Sequence, residues 1–305
     1  MTETAIDVRG LRKSYGAVEA VRGVDMAIAS GEVFALLGPN GAGKTTIVEI
    51  LEGHRQPDAG TVSVLGFDPA RRDRAMKQRI GIVLQSTSIE QFLTVAEVIE
   101  MYRGYYPKPR PLDEIIDVVG LTEKRDERVK KLSGGQQRRL DVAIGLAGDP
   151  ELLFLDEPTT GFDPGARRRM WDAVKNLVSL GKTIFLTTHY MEEAQELANR
   201  VAVITAGRIV AEGPPGTLAG RETSQTVVRF RLAEPVPALP RSLKKAMTSK
   251  DGRVEIEAAD PVTVLHELTG WALEKNVTLD QLEVARPTLE DVYLQLTGAE
   301  GQAAE

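Results

Sequence analysis

The amino-acid sequence predicts an α/β fold in which a mixed, largely parallel sheet carries an inserted helical subdomain and is followed by a small α+β domain. Three observations support this prediction. Short β-rich runs alternate with helical stretches through the first two thirds of the chain. Helical periodicity replaces that alternation over residues 86–150. A Gly-Pro-Pro-Gly stretch at 213–216 then stops regular structure, and strand-like runs resume after about Gly220.

The predicted core strands are short, and several are almost entirely apolar, which is typical of strands covered on both faces. They span residues 32–37, 61–64, 80–84, 152–155, 183–188 and 201–205. Helices are expected over residues 44–51 and 166–180. At the N-terminus, residues 1–8 alternate polar and apolar side chains, which predicts an edge strand.

We therefore expect two domains, at residues 1–220 and 221–305. The predicted strands of the second domain are 226–232 and 254–258. Asp260 and Pro261 are suited to the N-cap and the first position of a helix. Residues 288–291 form a loose capping box before a short apolar run, and the tail after residue 297 is expected to fray. This small domain carries no catalytic constellation of its own.

Composition excludes several classes of protein. The chain has 305 residues, of which 42% are hydrophobic, so it can build a packed core. Its net charge of −6 gives no overall attraction to nucleic acid or to an anionic bilayer. The absence of cysteine excludes disulfides and thiolate chemistry. No apolar run reaches the ~18 residues that span a bilayer, and the N-terminus lacks a signal-peptide pattern, so a membrane role would need another chain.

Residues 38–46 fit the phosphate-loop pattern in full and directly follow an apolar strand. Glycines let the backbone curl so that successive N–H groups point at phosphate oxygens, and the following helix adds its positive N-terminal end. Lys44 is suited to reach the β- and γ-phosphates, and the Thr45 hydroxyl to bind Mg²⁺. The predicted nucleotide-binding positions are Gly38, Asn40, Gly41, Gly43, Lys44, Thr45 and Thr46. The loop therefore predicts binding of Mg-ATP.

Two further motifs carry chemistry. An apolar strand ends in Asp156 and Glu157, where Asp156 is suited to bind Mg²⁺ and Glu157 to activate the attacking water. Ser133, Gly135 and Gln136 stand at the start of a helix predicted from Gln137, where Ser133 can cap the helix and the glycines expose its N–H groups. This second motif predicts an anion site separate from the phosphate loop.

In this order, the three motifs resemble the ATP-binding subunit of an ATP-binding-cassette (ABC) transporter, over roughly residues 3–220. Tyr15 resembles the aromatic residue that stacks on adenine, and Gln85 resembles the glutamine that links the magnesium site to the helical subdomain. Asp163 resembles the aspartate of the loop that crosses the dimer interface, although Phe162 stands where the family often has leucine. His189 resembles the switch histidine that contacts the γ-phosphate.

The resemblance implies that two cassettes pack head to tail, the second being another copy of this chain or a close paralogue. One copy then holds ATP and Mg²⁺ through Lys44, Thr45, Gln85 and Asp156. The other copy contributes Ser133 and Gly135, and Gln136 and Asp163 are further expected nucleotide-binding residues. The expected catalytic residues are Glu157, His189 and Lys44. Cleavage of ATP and release of phosphate let the copies separate, and this opening is the mechanical output.

Residues 286–298 resemble the tail of the drug- and antibiotic-resistance subgroup of these subunits, whose permease is a separate membrane chain. The resemblance implies a cytoplasmic subunit, peripheral on the inner face of the cell membrane. It would energise export of a drug, antibiotic, lipid or similar amphipathic compound. The partners implied are ATP, a second cassette and the permease, without nucleic acid.

Several alternatives stay open. The tyrosines at 102, 105 and 106 either dock a permease helix or fill the core of the helical subdomain. The arginine-rich stretches at 71–79 and 167–169 are interpreted as solvated helix faces. A soluble ABC-type ATPase acting on ribosomes or DNA is the second functional hypothesis, and a module that binds ATP without turnover is the third.

Overall fold

The computed structural model of the protein describes residues 3–84, 89–218, 226–232, 247–248 and 253–285, together with positions 240, 243, 289 and 293. Residue contacts divide the chain into two units, Met1–Pro215 and Gly216–Glu305. Four sequence predictions lie outside the described residues: Gln85, the expected boundary at Gly220, the capping box that begins at Thr288, and the tail after residue 297.

A mixed, largely parallel sheet forms the centre of the first unit. Its strands are β3 (Val33–Leu37), β5 (Ile80–Val83), β6 (Leu152–Asp156), β7 (Thr183–Thr188), β8 (Arg200–Thr205) and β9 (Arg208–Gly213). The strand order is β5-β6-β7-β3-β8-β9, in which only β9 runs antiparallel to its neighbour. Strands β3 and β7 are buried along their whole length, as their apolar sequences predict. The predicted parallel sheet is therefore confirmed.

A second, antiparallel sheet contains the N-terminal residues. It consists of β1 (Thr4–Tyr15), β2 (Val18–Ala29) and β4 (Ala59–Val64), in the order β2-β1-β4. The prediction of an N-terminal edge strand is therefore wrong, because β1 pairs on both sides. Alternation shows that one face of a strand is buried, whereas the number of partners depends on segments distant in sequence. Residues 61–64 likewise belong to this sheet rather than to the parallel one.

The helices of the first unit connect and cover these strands. They are α1 (Lys44–Leu51), α2 (Arg74–Arg79), α3 (Val95–Arg103), α4 (Leu112–Val118), α5 (Gly134–Gly145), α6 (Pro164–Ser179) and α7 (Met191–Leu197). Short 3₁₀ turns occur at Pro69–Arg71, Thr122–Lys124 and Val129–Lys131. Helices α3 to α5 all lie between β5 and β6 in the sequence, so the segment predicted to be helical is helical.

Two helices begin earlier than the sequence predicts, for related reasons. Helix α5 begins at Gly134 rather than Gln137, because Ser133 caps it and the first N–H groups of a helix need no intrahelical partner. Helix α6 begins at Pro164, with Asp163 as its N-cap. Its Arg167 is not a solvated charge as expected, since the guanidinium carbon lies 4.5 Å from the ring centroid of Tyr190.

The second unit contains a four-stranded antiparallel sheet and one helix. The elements are β10 (Thr226–Arg231), β11 (Met247–Thr248), β12 (Arg253–Ala258), α8 (Pro261–Lys275) and β13 (Asp280–Ala285). The strand order is β11-β12-β10-β13. Asp260 caps α8, as predicted, by accepting hydrogen bonds from the backbone N–H groups of Val262 and Thr263. Among the described residues of both units, no helix combines the length and the apolar character needed to cross a membrane.

Candidate functional site

A cavity of about 390 Å³ lies at the carboxyl ends of the parallel strands, where ligands bind in open α/β sheets. It gathers residues from the phosphate loop, from the end of β1 and from the end of β6. The predicted site residues that line it are Tyr15, Asn40, Gly41, Gly43, Lys44, Thr45, Thr46, Asp156 and Glu157. Residues separated by more than 100 positions in the chain therefore surround one space.

The phosphate loop requires its glycines for steric reasons. Gly43 has a φ of +107°, and a Cβ added there would lie 2.5 Å from the carbonyl oxygen of Ala20. A Cβ added at Gly38 would lie 2.5 Å from the carbonyl oxygen of Ile204. Glycine alone fits such positions without strain. Gly43 is also the N-cap of α1 and offers no side chain to bond the first N–H groups, so these groups are suited to a ligand.

Lys44 is the buried cation of the cavity, with 5% of its surface exposed. Its Nζ atom donates to the carbonyl oxygens of Gly38, at 2.7 Å, and Pro39, at 3.3 Å. It also lies 3.5 Å from Oε1 of Glu157. The ammonium group is thus held between the loop and the end of β6, in a position to bind a phosphate oxygen.

Strand β7 fixes the two carboxylates through Thr187, which lies two residues before His189 and to which no sequence pattern assigns a role. The parallel register places Thr187 beside Asp156. The Thr187 hydroxyl donates to Oδ1 of Asp156. The N–H of Glu157 donates to both the carbonyl oxygen and the hydroxyl of Thr187, each at 3.1 Å. One threonine therefore orients both predicted site acids.

Glu157 is surrounded by groups that favour its charged form. Nδ1 of His189 lies 3.2 Å from Oε1, and the hydroxyl of Thr160 donates to Oε2 at 3.2 Å. Burial acts to raise the pKa of Glu157, but His189, Lys44 and Thr160 outweigh it, so the pKa lies below its usual value. The carboxylate is therefore ionised at neutral pH and can accept a proton.

Tyr15 offers a half-exposed aromatic ring at the end of β1. The guanidinium carbon of Arg55 lies 5.3 Å from its ring centroid and Nζ of Lys13 lies 5.8 Å away. Neither cation is part of a recognisable motif, so sequence patterns do not reveal them. A half-exposed aromatic ring with cations nearby is suited to stacking on a planar base close to phosphate.

A second groove, of about 490 Å³, gathers another set of predicted residues. Ser133, Gly135 and Asp163 line it together with Glu157, and none of the phosphate-loop residues do. The Ser133 hydroxyl accepts from the N–H of Gln136, whose side chain accepts in return from the N–H of Ser133, so both belong to a capping box. Asp163 accepts from the N–H of Ala166 at 2.9 Å. Within one chain, this set and the phosphate loop form separate surfaces.

Comparison with known proteins identifies the family. The model described as ABC transporter matches residues 21–160, and the model described as ABC transporter domain-containing protein-like, C-terminal domain, matches residues 226–288. A Nod factor export ATP-binding protein I from Rhizobium sp. (strain N33) is 41% identical, covering 98% of this chain and 99% of its own. The daunorubicin resistance ATP-binding protein DrrA3 from Streptomyces coeruleorubidus is 37% identical, covering 100% and 99%.

Solved structures agree with the fold. The structure of cbiO1 from Clostridium perfringens, part of the ABC transporter complex cbiONQ, matches 70% of this chain and 90% of its own at a TM-score of 0.64 and 28% identity. A dimeric ATP-binding cassette bound to ADP and phosphate matches 68% and 98% at a TM-score of 0.60 and 24% identity. The chain belongs to the ABC transporter family and is one of its ATP-hydrolysing, ATP-binding subunits.

Proposed function

We propose that this ATPase energises a separate membrane permease that exports a drug, an antibiotic, a lipid or a similar amphipathic compound. Support comes from relatives that match over nearly their whole length and whose names refer to Nod factor export and daunorubicin resistance. The proposed coupling between nucleotide hydrolysis and assembly rests on the position of Glu157. This residue lines both the phosphate-loop cavity and the Ser133 groove. A nucleotide bound in the cavity is thereby linked to the second groove of the same chain.

The division of the site residues between two surfaces supports a head-to-tail pair of cassettes. In this pair, the cavity of one copy holds ATP on Lys44 and Thr45, with adenine on Tyr15. The Ser133 and Gly135 backbone of the second copy closes over the γ-phosphate. ATP is then bound by both copies, and its cleavage removes the contact that joins them. The second cassette is another copy of this chain or a close paralogue.

The oxygen donors in the cavity fit a magnesium ion. Thr45 and Asp156 both line it, and hydroxyl and carboxylate oxygens are ligands that Mg²⁺ prefers. These two residues would hold the ion, and Gln85 is the third predicted ligand. When bound, the ion neutralises charge on the β- and γ-phosphates. No other metal is needed for the roles assigned to this chain's residues.

Hydrolysis on this chain is a matter of position and charge. The neighbours of Glu157 hold its pKa low, so the carboxylate is ionised and free of a proton when it orients the attacking water and acts as its base. Lys44 stabilises the charge that develops on the phosphoryl oxygens. His189 lies 3.2 Å from Glu157 and would contact the γ-phosphate, as the family resemblance implies. Each of these three residues thus has a separate task.

The helical insertion provides the surface proposed to meet the permease. Two of the three tyrosines named in the sequence hypothesis, Tyr105 and Tyr106, divide between its alternatives. Tyr106 packs so closely on Gly148 that a Cβ there would lie 2.3 Å from its ring. Tyr105 is 71% exposed, and Met101 and Phe92 are exposed as well. A cytoplasmic helix of the permease can bury this apolar set.

The first experiment is affinity purification of the tagged, full-length chain from detergent-solubilised membranes, with mass spectrometry of what accompanies it. We expect one multi-span protein in comparable amount. Tyr105→Asp should reduce its recovery, whereas Leu273→Asp, at an exposed leucine of α8, should not. Recovery of ribosomal or DNA-repair proteins, with the chain absent from membranes, would replace the exporter proposal with the second hypothesis.

A further inference from the structure

Helix α5 carries a buried arginine for which the proposed mechanism has no use so far. Arg138 has only 7% of its surface exposed. Its guanidinium group donates to three backbone carbonyl oxygens, those of Asp156 at 2.8 Å, Pro158 at 3.3 Å and Leu84. The carboxylate of Asp141 lies 3.6 Å away and balances the buried charge. Four distinct groups therefore hold one side chain.

Two of these carbonyl groups flank the proposed catalytic base. Asp156 and Pro158 are the residues before and after Glu157, which has a φ of +45°. That left-handed conformation is uncommon and strained for a residue other than glycine, so it persists only where its surroundings enforce it. The N–H of Glu157 is bonded to Thr187 from the β7 side. From the α5 side, Arg138 holds the carbonyl groups of the residues before and after Glu157.

The third carbonyl group extends the connection. Leu84 ends the stretch that leads from β5 into Gln85, the predicted magnesium ligand. Arg138 itself lies one turn after Ser133 and Gly135, the residues proposed to contact the nucleotide of the other copy. One guanidinium group therefore joins the start of α5, the turn at Glu157 and the end of β5.

The chemistry of arginine suits this arrangement. A guanidinium group has five N–H donors in a rigid planar fork, so it can serve three carbonyls that come from separate segments of the chain. A lysine ammonium group at the same place is a compact point donor and cannot span the same three acceptors. Burial lowers the pKa of Arg138, but an arginine stays protonated in a protein and all its donors remain available.

We propose that Arg138 is a positioning residue for hydrolysis, because it fixes the strained turn at Glu157 to helix α5. When Ser133 and Gly135 dock on the nucleotide of the other copy, this link orients the carboxylate of Glu157. This inference rests on the proposed role of Glu157. A purely structural arginine would affect the stability of the fold. A positioning arginine also affects kcat through Glu157.

Arg139, the next residue of α5, provides a matched control. It too donates to backbone carbonyls, those of Val119 at 2.9 Å and Gly120 at 2.6 Å, but these lie in the helical insertion away from Glu157. We would purify full-length Arg138→Gln, Arg138→Lys and Arg139→Gln and measure the melting temperature, the affinity for ATP, and kcat and KM for hydrolysis.

We expect Arg138→Gln to lower kcat about 100-fold, as small misplacements of catalytic groups do, while KM and ATP affinity change less than about threefold. Arg138→Lys should recover only a small part of this loss, and Arg139→Gln should keep near-normal kcat. If Arg138→Gln does not fold, Arg138→Lys alone carries the comparison with Arg139→Gln. Equal kcat in the Arg138 and Arg139 variants would overturn the inference.

A double substitution separates this inference from the proposed function. In a Glu157→Gln background, Arg138→Gln should cause no further loss of kcat, because the group it positions is already absent. A full further loss of about 100-fold would mean that Arg138 acts elsewhere and would overturn the inference while leaving the base assignment intact. Near-normal turnover of Glu157→Gln alone would overturn the base assignment and, with it, the role of Arg138.

Discussion

Two helices of this chain present their N-termini where phosphate is expected, and they do so in different ways. Helix α1 starts with a buried lysine after an uncapped glycine, inside a cavity. Helix α5 starts with Ser133, whose hydroxyl already bonds the N–H of Gln136, and its first turn carries no charged side chain. A helix end contributes about 0.3–1 kcal/mol to an anion at an exposed site, whereas a hydrogen bond to a charged group contributes about 1.5–3 kcal/mol.

The difference indicates a division of labour. The α1 end can hold a nucleotide within a single chain, because it adds a full positive charge to its N–H groups. The first turn of α5 offers only backbone donors and a dipole, so it contributes once another copy brings a nucleotide to it. Affinity for ATP should therefore depend on the first helix start, and assembly on the second.

The largest effect is expected for Glu157, which lines both cavities. Glu157→Gln removes the base and leaves both helix starts intact, so kcat should fall about 1000-fold, within the range for loss of general base catalysis. Binding of ATP should persist, and an ATP-bound dimer should accumulate in size-exclusion chromatography. Glu196→Gln, at an exposed carboxylate paired with Lys175, is the control and should hydrolyse ATP normally. Rapid turnover by Glu157→Gln would contradict the assignment.

The next effect should be confined to the first helix start. Lys44→Ala removes the buried cation and should weaken ATP binding by the monomer about 100-fold, as truncation of a buried charged partner does. Lys182, another buried lysine, bonds Asp149 instead and provides the control. Titration with a fluorescent ATP analogue measures the affinity of the Lys44 and Lys182 variants. Equal affinities for the Lys44 and Lys182 variants would show that the α1 end does not govern nucleotide binding.

Ser133 allows a test of the second helix start without loss of its cap. Aspartate and asparagine both cap helices about as well as serine, but aspartate adds a negative charge. Ser133→Asp should therefore reduce ATP-driven dimerisation and kcat about 30-fold by repulsion of the γ-phosphate, while ATP affinity of the monomer stays unchanged. Ser133→Asn should behave nearly as the unmodified chain. If Ser133→Asp also weakened ATP binding by the monomer, the start of α5 would contribute to nucleotide affinity and the proposed separation of roles would be wrong.

How much of this site is visible in the sequence depends on distance along the chain. Helix α1 occurs with the predicted bounds, Lys44–Leu51, because the glycines, the lysine and the apolar periodicity are contiguous. The bond from Thr187 to Asp156 joins residues 31 positions apart, and that from Arg138 to Asp156 joins residues 18 apart. Such contacts follow from strand register and helix placement, which local patterns do not specify. The sequence predicts Gln136 and Asp163 as contacts of the nucleotide. Their capping roles at the starts of α5 and α6 depend on where those helices begin, which the sequence placed two or three residues too late.

The two helices also differ in their buried carboxyl groups. In α5, Asp141 lies beside Arg138. At the C-terminal end of α1, Glu52 is 2% exposed and faces His54, whose Nδ1 lies 3.1 Å from its Oε2. Burial, followed by the negative charges of Asp156 and Glu49, raises the pKa of Glu52 to about 8. The carboxyl group at the end of the phosphate-loop helix is therefore protonated in the folded chain at neutral pH.

The smallest effect should thus appear in stability rather than in turnover. The folded chain keeps the Glu52 proton up to about pH 8, whereas the unfolded chain releases it near its ordinary pKa of 4.5. The contribution of Glu52 to stability is therefore fully present below pH 4.5 and is lost as pH rises through 8, on the order of 5 kcal/mol in total. Glu52→Gln keeps a neutral group at this position and should flatten the decline. The free energy of unfolding of Glu52→Gln, relative to that of the unmodified chain, should therefore increase from pH 5 to pH 8.5. Urea unfolding at both pH values measures it, with Glu100→Gln, an exposed carboxylate of α3, as the control. A constant difference between Glu52→Gln and the unmodified chain across this range would mean that Glu52 is ionised in the fold, and the end of α1 would then resemble α5 in holding a paired charge.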